Sequence, residues 1–255
     1  MSTAGLTLRQ VRYTNKAFWR NPASAFFTFA FPLMFLVIFT GLLGNSTVDI
    51  AGKTYRSSTY YVAAMAAFSV ISACYTNIAI GVSFQRDSGI LKRVRGTPLP
   101  SGAYLSGRVI HAIIVSVLLV ILCAAFGAAF YGATIPSGTT LWKFLVVLLV
   151  GAGAFAALGL ALTSVIPNAD ASPAIVNATI LPLLFLSGIF IPLGDAAPAW
   201  MRVVGTIFPV RHFADGMQAG FLGLPFHWSD VLIVGAWGLG GLLLAVRFFS
   251  WEPRK

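Results

Sequence analysis

Apolar residues fall along this chain in long runs separated by short polar joints, and the lengths of those runs carry most of the expectation. A helix needs about 20 apolar residues to cross a ~30 Å hydrocarbon core. Runs of that order occupy 25–44, 59–82, 109–131, 142–166, 174–192 and 229–249. Pro32 lies inside the first, but a proline within a membrane helix is tolerated and often only kinks it. The joints are a polar segment from Asn45 to Ser58, a basic stretch around 83–107, a short loop containing Pro136, and the turn Pro167-Asn168-Ala169-Asp170. The pattern predicts an all-α membrane protein with six transmembrane helices.

Two segments do not follow the simple span pattern. Between Leu6 and Arg20, the cations Arg9, Arg12, Lys16 and Arg20 recur at spacings of three and four, while Leu8, Val11 and Phe18 lie largely off that stripe. This predicts an interfacial amphipathic helix within 1–24, basic side toward anionic headgroups and ended by Asn21-Pro22; a disordered basic tail is the alternative. The apolar run behind it is too long for a signal-peptide core and lacks a small-x-small cleavage site, so it reads as a retained span.

The second segment precedes the last span. After Gly194-Asp195 come two short helical patterns, one placing Trp200, Val203, Val204, Ile207 and Phe208 on a face, the other Phe213, Met217, Gly220 and Phe221. Pro209 breaks the hydrogen-bond ladder between them. Each is expected to cover less than half of a ~30 Å core at 1.5 Å per residue. A hairpin over 195–224 that dips in and returns is the physical reading, permitted only where protein or water satisfies its backbone. Arg211 and Asp215, four residues apart, can meet on its second helix.

Composition agrees with the runs. The chain is 58% hydrophobic and 9% charged, against about 25% charged for a soluble domain. Its 17 Lys and Arg against 7 acids do not point to nucleic acid, because they are parcelled out between apolar runs and form no basic aromatic patch. Six spans put both termini on one side. That side holds Arg9, Arg12, Lys16, Arg20, Arg86, Lys92, Arg93, Arg95, Arg108, Arg247, Arg254 and Lys255; the other holds Lys53, Arg56, Lys143, Arg202 and Arg211. The excess predicts cytoplasmic termini, with 251–255 as a cytoplasmic tail.

Catalytic and metal chemistry find little support. Cys74 and Cys123 sit alone in apolar runs and read as buried small hydrophobes. His111, His212 and His227 are scattered, with no neighbouring carboxylate or metal spacing. No acid falls mid-span, which counts against a proton-coupled carrier. Gly151 to Ala156 spells G-x-G-x-x-A, but in mid-span, where small residues serve close helix approach; Gly235, Gly238, Gly240 and Gly241 read alike. No G-x-x-x-x-G-K-[ST] occurs, and no segment outside the membrane could form a nucleotide-binding domain. The chain is therefore not expected to be an enzyme or to hold a cofactor; were its action driven by ATP, the ATP and Mg would reside on another polypeptide.

The basic loop is more informative. Ile90, Leu91 and Val94 form a small apolar face among Arg86, Lys92, Arg93 and Arg95, and Gly96, Pro98 and Pro100 stop the helix. It reads as a docking helix for a cytoplasmic partner, or as a loop whose cations only fix topology.

The order Ser187, Gly188, Pro192, then Pro198, Trp200, Pro209 and Asp215 resembles the C-terminal signature of ABC-2-type transporter permeases, with Asp215 where that family usually has Glu. The likeness extends to the interfacial helix with Asn21-Pro22, Pro32 in the first span, and Arg86-Asp87, Gly89, Ile90-Leu91 and Thr97-Pro98 before the third span. The family often has Glu where Gln85 or Lys92 stands. The resemblance implies the membrane subunit of an ABC exporter, similar to daunorubicin-resistance permeases, with 25–250 as its six-helix domain. It implies docking to an ATPase subunit through Arg86, Asp87, Gly89, Ile90, Leu91, Arg93 and Val94, and a gate built from Ser187, Gly188, Pro192, Trp200, Pro209, Arg211 and Asp215. Two ATPase subunits and a second permease, identical or related, would complete the assembly in a bacterial plasma membrane, among membrane lipids. A hydrophobic drug, antibiotic or lipid is the implied cargo; polysaccharide export and a carrier or channel not driven by ATP are the alternatives.

Overall fold

The computed structural model describes residues 2–43, 46–50, 53–192 and 198–253. Expectations placed on Gly44, Asn45, Gly194, Asp195, Arg254 and Lys255 lie outside the described residues. In chain order the elements are α1 (Thr3–Trp19), α2 (Pro22–Leu43), β1 (Thr47–Ile50), β2 (Lys53–Arg56), α3 (Ser57–Ile71), a π turn (Ser72–Thr76), α4 (Asn77–Asp87), α5 (Ile90–Arg95), α6 (Ser101–Tyr131), α7 (Thr139–Leu162), α8 (Ser172–Phe185), α9 (Ala199–Ile207), α10 (Pro209–Leu222) and α11 (Trp228–Phe248). Among them α2, the continuous rod from α3 through α4, α6, α7 and α11 are long and apolar enough to cross a membrane. The protein is a mostly helical membrane protein.

The rod Ser57–Asp87 is the centre. Every residue of α3 is buried, because α2, α6 and α10 all pack on it, while α7 packs on the π turn and α8 on α4. Its sequence permits this: Ala63, Ala64, Ala66, Ala67 and Ser69 leave room on all sides for neighbouring helices. Close approach by small residues is a principal means of helix association in lipid, where no hydrophobic force separates helix from tail.

Glycines set the other contacts. A Cβ at Gly159 of α7 would stand 2.7 Å from the Tyr75 carbonyl oxygen, so the π turn fits only because α7 carries no side chain there. Gly238 of α11 lies on Ala154, where an added Cβ would come within 2.7 Å of its Cα, and Gly241 lies on Leu158. Gly151 receives the ring of Phe213. The small-residue reading of these two spans holds at those positions, whereas Gly153 and Gly240 face open space. Cys74 and Cys123 are buried and free, as expected.

Several expectations are corrected. The polar segment from Asn45 to Ser58 carries a short antiparallel strand pair, Thr47 opposite Arg56 and Ile50 opposite Lys53; its Thr, Val, Ile and Tyr residues suit strands, a small addition to a fold that is otherwise helical. The second run does not end at Val82 but continues as helix to Asp87, and α6 begins at Ser101 rather than Val109. The fifth run, 174–192, yields only the 14-residue α8. Pro182 lies in its last turn, and the left-handed backbone at Gly188 (φ 79°) turns the chain away. The second half-helix is longer than expected: α10 has 14 residues, or about 21 Å.

Both described chain ends meet the start of α6. Gly107 accepts α1 so closely that an added Cβ would stand 2.6 Å from Gln10 Cγ. At the other end, Trp251 packs on Tyr104 with ring centres 6.0 Å apart, and Glu252 lies 3.9 Å from Arg95.

The π turn supplies a test of this packing. Gly159→Ala should lower stability in detergent by about 1–3 kcal/mol, the usual range for overpacking. Gly153→Ala, in open space, should be neutral or gain up to about 1 kcal/mol of helix preference. Equal melting temperatures for the two variants would contradict the fit between α7 and the π turn.

Candidate functional site

Two clusters gather the residues singled out in the sequence. The first lies where α4, α5 and the α7–α8 turn meet. Arg86 is 1% exposed, so it belongs to no docking surface. Its Nη1 donates to the Thr163 carbonyl at 2.9 Å, and its Nη2 to those of Ile166 at 2.7 Å and Pro167 at 3.3 Å. These are carbonyls at and just beyond the end of α7. A helix leaves its last carbonyls unsatisfied and carries partial negative charge there, so a buried guanidinium serves as both cap and counter-charge. Asp87, 3.4 Å from Arg86 Nε, accepts from the Ala169 backbone N–H at 2.5 Å. The pair thus holds both sides of the turn leading into α8.

Gly89 makes the corner possible: its φ of 72° is left-handed, which a side chain would disfavour. The six-residue α5 that follows does not present the apolar face expected of it. Leu91 is fully buried and Val94 half-buried, while Ile90 is exposed together with Lys92, Arg93 and Arg95. Leu91 and Arg86 fasten the loop to the bundle; Ile90 and the cations face outward. The expected apolar face of Ile90, Leu91 and Val94 is divided because the short helix packs by Leu91 rather than by the whole stripe.

The second cluster joins α8, α9, α10 and α11. Ser187 is buried and donates to the Leu184 carbonyl at 2.8 Å. The Gly188 carbonyl accepts from the phenol of Tyr60, near the start of α3. Halfway down α8, Thr179 meets Tyr75 at 2.8 Å. Gly205 of α9 approaches the Leu186 carbonyl, where an added Cβ would stand 2.8 Å away, and also touches the Arg211 side chain. Pro209 is buried as the first residue of α10, and Pro192 is half-buried. Arg211 Nε lies 3.7 Å from Asp215 Oδ2, an i,i+4 pair with Arg211 23% and Asp215 49% exposed. The face of α10 bearing Phe213, Met217, Gly220 and Phe221 is buried, whereas Trp200, Val203 and Ile207 of α9 are exposed.

One expectation about histidine is wrong. His212 does have a carboxylate neighbour, Asp230 at the start of α11, with Nδ1 2.7 Å from Oδ1. Its Nε2 lies 2.9 Å from the Thr206 carbonyl, and Trp237 donates to the Ile207 carbonyl at 3.0 Å. The last turn of α9 is therefore capped by α10 and α11 together. Eighteen residues separate His212 from Asp230, and no local pattern links them. Gly205 was likewise missed, since its role depends on the turn at 186–188. No cluster of three or more metal-ligating side chains occurs among the described residues.

Comparison with known proteins identifies the family. A family model described as "ABC-2 type transporter" matches residues 7–222. The chain is 25% identical over 91% of its length to ycf38 of Porphyra purpurea, covering 80% of that protein, and 25% identical over 89% to YvfS of Bacillus subtilis, covering 89% of it; both carry provisional transport-permease names. It is 24% identical over 89% of its length to the daunorubicin resistance ABC transporter permease protein DrrB1 of Streptomyces coeruleorubidus, covering 79% of that protein. The match spans the corner around Arg86 and α5 and the whole of α8 to α10, and the chain belongs to the ABC-2 type transporter family of membrane permeases.

Proposed function

We propose that this permease is the membrane half of an ATP-driven exporter, energised by a separate ATPase subunit that docks on α5. The observation that carries the reading is the division of labour in the docking loop. Arg86, Asp87, Gly89, Leu91 and Val94 fix a short helix to the bundle, leaving Ile90, Lys92 and Arg93 facing outward. A helix so held can pass a push from a partner into α4 and α8 instead of absorbing it.

The same geometry supports six crossings. Five long helices alone would leave the termini at opposite ends, yet both described ends meet the start of α6. The segment through α8 supplies the additional crossing: it is tied to Asp87 at one end of the central rod and to Tyr60 at the other. With the basic loop cytoplasmic, both termini are cytoplasmic, and α9 and α10 form a hairpin that enters from the outer side without spanning. The exposed apolar face of α9 would then lie in the outer interface, and Arg211, Asp215 and the Ser187-Gly188 turn form an outer gate.

The chain pairs with a second copy or a related permease, and ATP and Mg reside on the ATPase. A hydrophobic or amphiphilic compound, such as a drug, antibiotic or lipid, is the cargo, in keeping with the name of the DrrB1 relative. The described loops between spans are short and offer no separate domain for a large polar substrate. A bacterial plasma membrane is the setting.

The test is co-purification in mild detergent followed by uptake into inverted vesicles. An ATPase subunit with a phosphate-binding loop should accompany the chain, and uptake of a fluorescent amphiphile should require ATP. Ile90→Asp and Arg93→Glu should each cut uptake about tenfold or more, a burial or pairing penalty of ~1.4 kcal/mol or above, with unchanged membrane content. Absence of any ATPase partner, or full uptake in both variants, would remove the docking reading.

The gate is tested by a double-mutant cycle on thermal stability. Arg211→Leu and Asp215→Leu should each destabilise, with the double variant recovering about 0.5–1 kcal/mol, the scale of a partly exposed pair. Strict additivity within about 0.3 kcal/mol would mean the two side chains do not act together.

A further inference from the structure

A cavity of about 680 Å³ opens between α1, the π turn, α4 and the first half of α6, with Ile90 and Val94 contributing to its wall. Its size falls within the ~300–1,000 Å³ of small-molecule sites. Its chemistry is two-sided. Arg108 and His111, one helical turn apart on α6, supply polar groups, and Phe18, Ala73, Ala112 and Val115 supply an apolar lining.

The polar groups are incompletely paired. Arg108 Nη1 donates to Gln85 Oε1, which also accepts from the Tyr104 hydroxyl at 2.5 Å. Arg108 Nε is nevertheless buried without a hydrogen-bond partner among the described residues, and so is His111 Nε2. His111 is 6% exposed, and its ring is held edge-on to Phe18 at 5.5 Å. Among the described residues, no Asp or Glu contributes to the wall. Arg108 itself is half-buried, but a cation whose Nε is sealed from water without an acceptor is costly, and an anion entering the cavity removes that cost.

Depth and surroundings narrow the anion. Arg108 and His111 lie seven and ten residues into α6, which starts at Ser101; this places them about 10–15 Å along the helix from its start. The basic residues of α1, Arg12 and Lys16 among them, are exposed beside it. A basic interfacial helix gathers anionic lipid from the adjoining leaflet. We propose that this cavity binds one anionic phospholipid, its phosphate between Arg108 and His111 and an acyl chain along Phe18, Ala112 and Val115. The site does not depend on the chain being an ATP-driven exporter. It does touch α5 through Ile90 and Val94, so an occupied cavity would lie against one side of that helix, with Lys92 and Arg93 still exposed.

The experiment is native mass spectrometry of the purified full chain, exchanged into detergent with phosphatidylglycerol or phosphatidylcholine. The wild type should retain one phosphatidylglycerol and prefer it over phosphatidylcholine about fivefold or more, the worth of one cation near a lipid phosphate. Arg108→Gln should lose that preference. Ala112→Leu, which keeps both polar groups but fills the apolar part, should reduce retention of the lipid to a similar degree. Arg202→Gln, exposed on α9 and outside this cavity, should change retention little. Equal retention in the wild type, Arg108→Gln and Ala112→Leu would overturn the proposal, as would equal affinity for phosphatidylcholine. Displacement of the lipid by millimolar inorganic phosphate would also overturn it, because the site would then hold a free anion.

Discussion

A single buried guanidinium organises the end of the molecule where the long helices turn. Arg86 lies at 1% exposure and spends its donors on carbonyls from Thr163, Ile166 and Pro167. Hydrogen bonds from a charged group contribute about 1.5–3 kcal/mol each, and carbonyls stripped of their donor lose comparable amounts. Asp87 supplies the counter-charge and takes the Ala169 N–H. The result is that the central rod, the end of α7 and the entry to α8 form one rigid corner. α5 hangs from that corner through Gly89 and Leu91. From there α8 runs along the rod past the Tyr75–Thr179 contact to Gly188, where Tyr60 holds its far end.

This continuity gives the transport reading its mechanical content. A displacement at α5 has no soft joint in which to dissipate before it reaches α8. Beyond Gly188 the chain passes to α9, whose last turn is capped by His212 and Trp237 from two other helices. α9 buries little of its own apolar surface, whereas α10 is sunk into α7 through Phe213 on Gly151, Gly216 on Val147 and Gly220 on Phe144. The hairpin therefore has a fixed limb and an exposed limb. In the proposed exporter, the exposed limb is the part free to move or to meet lipid and a second permease.

Run length and punctuation made five span-length helices and the helix ahead of them legible, because spanning a bilayer demands long apolar stretches and stops them with polar joints. The break at Pro209 was legible for the same local reason. What could not be read depends on contacts distant in sequence. Nothing around Arg86 distinguishes it from Arg93; only the carbonyls of a turn some 80 residues away make the difference. His212 and Asp230 pair across two helices, and the π turn is recognisable only through Gly159. α8 was over-read because hydropathy continues through Ser187-Gly188 although the backbone does not. The strands at 47–50 and 53–56 had a signal in their β-branched residues that the polarity of the segment obscured.

Arg86 couples α5 to the α7–α8 turn, and an interspin distance measures that coupling directly. Spin labels at Lys92→Cys on α5 and Asp170→Cys beside α8 should give one narrow distance distribution in an otherwise unaltered chain, since Cys74 and Cys123 are buried. Adding Arg86→Met, which keeps an unbranched apolar stem but removes every donor, should broaden or split that distribution while the protein remains in the membrane. An unchanged narrow distribution in Arg86→Met would contradict the account, because the loop would then be held by Leu91 packing alone.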